Sequence, residues 1–237
     1  MSPTELLCPS VDFTAREEEP VYPVDVVLSL HREGTAGLLR TMRSHHVMPA
    51  LCHPWGSGQA YLTLLHEPRP LSVLDVPDGA VTDDLAQRVH VLSGFSSVIV
   101  LTPGHTDSVA LLRAGAANVL PRDTPPKELA SRLVAERRWL QASTPRRTHR
   151  AQAALYQAMQ PRQMSQQVLF HVLLSTPRPW CCHDLCLLLG TARTPMTRRA
   201  LQARMLRLSE RLTRFERSVG STAQWGRTTY SGIHEGP

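Results

Sequence analysis

Lysine is almost missing from this sequence: of 26 basic residues, Lys127 alone is a lysine and the rest are arginines. Acidic residues are scarce in one part of the chain only. Residues 141–237 carry 14 basic and 4 acidic side chains, a balance of +10, whereas residues 1–140 carry 12 and 16, a balance of −4. That segregation is the electrostatic footprint of a sensing domain joined to a nucleic-acid binder, and a randomly basic surface would not concentrate so sharply. No apolar run approaches the ~20 residues of a bilayer-crossing helix, which excludes such a span and a membrane partner. Also absent are a glycine-rich phosphate loop, a nucleophile elbow, an HExxH pair and a paired-carboxylate motif with a plausible base, so neither catalysis nor a cofactor is expected.

Residues 1–22 have no basic start and no continuous apolar stretch, and read as a disordered leader rather than a secretory signal. The five cysteines are odd in number, and three crowd into Cys181-Cys182-His183-Asp184-Leu185-Cys186. That pattern is no secreted disulfide framework and fits a reducing cytoplasm. It also fits zinc poorly, because adjacent cysteines do not share one tetrahedron well, so buried cysteines on a helix and no metal are expected. His45-His46 and Cys52-His53 read as surface or core residues.

From residue 24 short β-rich runs alternate with amphipathic stretches. Strands are expected at 24–30, 47–51, 71–75, 98–102 and 119–120, with helices at 32–44, 57–66, 82–93, 106–114 and 125–140. Parallel strands need crossovers and the crossovers are helical, so the sequence predicts an α/β domain with a doubly wound five-stranded parallel sheet over 23–141. Its working edge is the C-terminal end of the strands, where Asp75 and Thr102 fall. Residues 142–155 read as a linker, and 156–232 as a second domain. Helices are expected there at 165–175, 182–189 and from about 195 to 217, followed by a β-hairpin at 218–231.

The third of these helices carries the strongest signal. Leu201, Met205, Leu208, Leu212 and Phe215 recur at steps of 4, 3, 4 and 3, a stripe facing a core. Arg199, Arg207 and Arg214 project from the opposite side, with Arg204 and Arg211 on its flank and Arg198 at its start. Arginine forks match phosphate oxygens and the O6/N7 edge of guanine, and a helix fits the major groove, so this face is expected to bind double-stranded DNA. The segment Trp225-Gly226-Arg227-Thr228-Thr229-Tyr230 would add a basic hairpin tip. The other reading is a scaffold whose basic tail binds an acidic partner or RNA.

The second half, three helices and a terminal hairpin with Leu201-Gln202-Ala203-Arg204-Met205-Leu206-Arg207-Leu208 and Leu212 in the third helix, resembles the winged helix-turn-helix domain of OmpR/PhoB-type response regulators. The first half resembles their receiver. Val73-Leu74-Asp75-Val76-Pro77-Asp78-Gly79 is similar to the phosphoacceptor strand, Val98–Thr102 to the strand ending in the switch threonine, and Ala114-Gly115-Ala116-Ala117-Asn118-Val119-Leu120 to the turn before the last strand. The acidic pair that receivers carry after the first strand is replaced by Ser29-Leu30, and the phosphoryl-contacting lysine by Arg122. The arginine-for-lysine bias suggests an actinobacterial source. The resemblance, with these departures, implies an atypical receiver: a cytoplasmic transcription regulator, independent of phosphorylation, controlling for instance a biosynthetic gene cluster. It implies homodimers on DNA through the helix at 125–140, RNA polymerase as a further partner, and a small-molecule effector in the crevice of Ser29, Asp75, Thr102 and Arg122.

Overall fold

Alternate residues of the central strands enter two different buried layers, and that alternation builds the first half of the molecule. The computed structural model describes residues 22–143 and 157–235, apart from 81, 82, 105, 177, 225 and 226. The strands β1 (Val26–Ser29), β2 (Cys52–Pro54), β3 (Leu71–Asp75), β4 (Ser97–Thr102) and β5 (Asn118–Pro121) form one sheet in the order β2-β1-β3-β4-β5. All four pairings are parallel. The crossovers are α1 (Arg32–Met42), α2 (Gly58–His66), α3 (Leu85–Ser93) and α4 (Ser108–Arg113), and α5 (Pro126–Ser143) follows the last strand. Val27, Val73, Ile99 and Leu101 pack with Met42, Leu129 and Leu133 of α1 and α5. Val26, Leu28, Leu74, Val98 and Val100 turn the other way, toward Leu64, Val89, Leu92 and Leu111 of α2, α3 and α4. This is a receiver-like, doubly wound sheet with its strand-order reversal between β1 and β3.

Two expected boundaries move. No strand forms at 47–51: Pro49 has no N–H to give a ladder, His46 turns the chain in the left-handed region (φ 51°), and Leu51 is exposed. Pairing begins one residue later, where Cys52 stands opposite Val27. Helix α5 continues through Ser143 because Leu140 is still buried against the sheet. Residues 144–155 of the expected linker and 1–21 of the expected leader lie outside the described residues.

The second half contains the helices α6 (Met164–Ser175), α7 (Cys182–Leu189) and α8 (Arg198–Thr213). The strands β6 (Trp180–Cys181), β7 (Arg217–Gln224) and β8 (Arg227–Glu235) make an antiparallel sheet in the order β6-β8-β7. Helix α8 starts later than Pro195 because Thr197 caps it, its hydroxyl accepting from Ala200 N at 3.2 Å. It stops before residue 217 because the chain turns at Glu216 (φ 55°) to enter β7.

The α2–α3 side of the parallel sheet is covered by this second half, and one apolar core runs through both. Tyr61 meets Trp55 and Phe95 edge-on, and Phe95 lies 6.4 Å from Trp180 of the other half. Trp55 Nε1 donates to Leu187 O at 2.9 Å. Arg88, 1% exposed, pairs with Asp84 at 2.6 Å, stacks on the Trp55 ring and donates to Ala192 O at 2.9 Å. From the other side Arg178 stacks on Trp180 and donates to His90 O and Val91 O at 3.1 and 3.3 Å. Gly56 sits where only glycine fits: its φ is +88° and a Cβ there would lie 1.9 Å from Gly190 O.

Gly56→Ala is therefore expected to destabilise the whole chain, by about 1–3 kcal/mol from overpacking alone. Urea unfolding followed by tryptophan fluorescence and by circular dichroism should give one coincident transition. Two resolved transitions, with the substitution shifting only the first, would contradict a shared core.

Candidate functional site

The C-terminal edge of β1 and β3 brings Ser29 and Asp75 side by side, since the two are register partners. Asp75 is fully buried, and both its oxygens are taken. Arg122, the residue after β5, donates from Nε to Oδ1 at 2.9 Å and from Nη2 to Oδ2 at 3.4 Å. Thr35, in the first turn of α1, donates to Oδ2 at 2.6 Å. An ionised carboxylate can only accept, so Thr35 must in turn accept from Ser29, whose hydroxyl lies 2.5 Å away. Ser29 Oγ then accepts from His31 N at 2.9 Å, which completes a directed chain from the α1 entry to Asp75. Arg122 Nη2 also donates to Gly34 O at 2.6 Å, and its backbone N donates to Thr102 O at 2.8 Å.

All four residues expected at this crevice do converge there, but they close it. Ser29 and Thr102 are 1% and 3% exposed, and Arg122 covers Asp75 as a lid would. The expected effector pocket is filled by the ion pair and the hydroxyl chain. Nor do the residues fit Mg²⁺: one carboxylate, two hydroxyls and a guanidinium offer a hard dication too few anionic oxygens and an opposing charge. Thr35 and Gly34 carried no signal in the sequence, because a threonine and a glycine in a first helical turn are ordinary there.

A second constellation lies on α8. Leu201, Met205, Leu208 and Leu212 are buried, and Phe215 is partly buried against the same core. Arg199, Arg207 and Arg214 are exposed on the far side. Arg204 and Arg211, expected on the same DNA surface, are engaged within the chain instead. Arg204 Nε donates to Ser165 Oγ at 3.1 Å, and Arg211 donates to Met159 O and Ala158 O at 2.6 and 3.0 Å. Arg198 donates to Thr228 Oγ1 at 3.3 Å, which joins the start of α8 to β8 beside exposed Arg227. Trp225 and Gly226 of the hairpin tip lie outside the described residues.

The cysteine cluster is packing. Cys181 caps α7 by accepting from Asp184 N at 3.3 Å, and Cys186 is buried. Burial, and the neighbouring Cys182 after it, push the Cys186 thiol up to about 12. Burial likewise raises Cys181. Among the described residues no group of three or more His, Cys, Asp or Glu side chains is set to hold a metal ion. No helix among them is long and apolar enough to cross a membrane.

No protein family and no curated protein matches this chain. Among solved structures it is similar to the response regulator ChrA of a heme-sensing two-component system, at 16% identity over 81% of this chain and 92% of that one, with a TM-score of 0.34.

Arg122→Ala would strand a buried carboxylate and is expected to cost about 1–3 kcal/mol. Asp75→Asn, which keeps the shape and one acceptor, should cost less. The measurement is urea denaturation of both variants. Equal stability of Arg122→Ala and the parent would show that the pair does not hold this edge together.

Proposed function

We propose that the chain is a sequence-specific DNA-binding transcription regulator of the atypical response-regulator type, whose second half is a winged helix-turn-helix and whose receiver-like half works without phosphorylation. The observation that carries this reading is the outward face of α8, where Arg199, Arg207 and Arg214 stand exposed on a helix whose other face is core. The first half packs on α6 and α7, so it leaves that face open. Helix α8 would lie in the major groove, with Arg207 reaching base edges and the β7–β8 hairpin laying Arg227 on the backbone or in the minor groove. Arg198, at the helix start, suits a phosphate. Arg204 and Arg211 would hold α8 at the correct angle rather than touch the duplex.

The closed Asp75 site supports independence from phosphorylation. A phosphodonor needs an accessible carboxylate oxygen with other anionic oxygens beside it to hold a dication, whereas Asp75 is buried and paired with Arg122 and Thr35. Control would then come from abundance or from a ligand that prefers one conformation. Assembly is proposed as a homodimer on paired half-sites about one helical turn apart. Val109 and Leu112 of α4 and Trp139 of α5, all large and exposed, support contact through those helices.

In a mobility-shift assay with the protein's own upstream region, Arg207→Ala should cost about 1–3 kcal/mol of specific affinity and relax the base preference at one position. Arg211→Ala should instead lower stability. Equal binding by Arg207→Ala and the parent, or equal retention of single-stranded RNA, would favour a scaffold with a basic tail. Trp139→Asp is expected to abolish cooperative occupancy of the second half-site while leaving single-site affinity unchanged, as read by footprinting. Undiminished cooperativity would move the dimer contact elsewhere.

A further inference from the structure

A hollow lies at the base of the proposed DNA-reading helix, where the two halves meet. It encloses about 740 Å³, within the range of small-molecule sites. Three walls close on it. Gln87 of α3 comes from the receiver-like half, Cys182 and Cys186 from α7, and Met196, Arg198 and Arg227 from the approach to α8 and from β8. The floor is apolar and soft, because Cys186 is held as a neutral thiol by its burial. The rim carries two guanidiniums, those of Arg198 and Arg227, and among the described residues no carboxylate lines the hollow. The nearest acid, Asp184, is buried and receives the Gln87 amide as its partner. Cysteine and methionine side chains beside two lining guanidiniums suit a ligand with an apolar body and one anionic head.

We propose that this hollow is an effector site for small amphipathic anions, such as aryl or acyl carboxylates, and that its occupant competes with DNA. The coupling follows from the rim. Arg198, placed on phosphate, and Arg227, placed on the backbone or in the minor groove, both touch the duplex in the DNA-binding reading, on which this part of the proposal rests. A ligand head that takes both removes two duplex contacts, and DNA bound there removes the ligand's anchors, a reciprocal antagonism. Gln87 adds a link to the other half, because a ligand reaching it touches the residue that holds Asp184 across the junction.

The test uses anilinonaphthalene sulfonate, an apolar body with one anionic head, and its uncharged relative N-phenylnaphthylamine, titrated into the full chain without DNA. The sulfonate should bind saturably at one site, at least about tenfold tighter than the neutral compound, the difference being the charged head on two arginines. Arg198→Ala with Arg227→Ala should erase that difference. Cys182→Phe, which fills the hollow, should block both compounds, whereas Cys182→Ser should not. Near-ultraviolet circular dichroism shows that each variant is folded. Equal binding of the two compounds, or binding unchanged in Cys182→Phe, would overturn the site whatever the chain does with DNA. A second titration, of labelled duplex against protein loaded with the sulfonate, should show affinity falling and the salt slope shrinking by about two. Saturable sulfonate binding that leaves duplex affinity unchanged would overturn the competition and keep the site.

Discussion

A guanidinium sealed inside the junction sets the terms for the rest of this molecule. Arg88 cannot be buried unless its charge and donors are answered, and the answers come from both halves at once: Asp84 and Trp55 on one side, the carbonyls of Thr191 and Ala192 on the other. Separating the halves would take from that cation the carbonyls of Thr191 and Ala192 and open the apolar surface of Trp55, Tyr61, Phe95 and Trp180 to water. Domains in one chain move freely by default when their interface is small and polar. This interface is neither. The receiver-like sheet and the helices behind α8 therefore form one mechanical body.

That body changes what the closed Asp75 site can mean. In a two-state receiver a charge placed at the strand edge biases one surface against another. Here Arg122 already supplies the charge and Thr35 the hydrogen bond, so the edge is held in one arrangement from within. A fixed edge and a fixed junction both remove places where a signal could enter. The hollow of Cys182 and Arg198 lies where the junction meets the start of α8.

Much of the fold was legible in the residues, and for a physical reason. Strands buried on both faces must be apolar throughout, which is why β3 and β4 stand out, and α8 declares itself by a stripe at steps of four and three. The misplaced second strand shows the limit of such pattern reading, since Val47 and Met48 are buried in the core without belonging to a strand. The site was legible by halves. Asp75, Arg122, Ser29 and Thr102 could be found from their places along strands, but their mutual closure depends on Thr35, forty residues from Asp75 in sequence. Helical phase placed five arginines on or near one face of α8 without showing that Arg204 and Arg211 are held by a serine and two carbonyls of an earlier segment. The junction left no local trace: a glycine, two arginines and a few aromatics acquire their meaning only when Gly56 meets Gly190 and Arg178 meets Trp180.

The proposal that this molecule reads duplex DNA rests on charge segregation and on the exposed arginine face of α8. The most direct test is selection of bound sequences from a random pool of duplexes by the full chain, with the winners retitrated across a range of salt. The account predicts enrichment of a defined pair of half-sites about one helical turn apart, with affinity that falls steeply as salt rises. A pool that emerges unenriched after selection, with binding no stronger to any duplex than to any other, would contradict it.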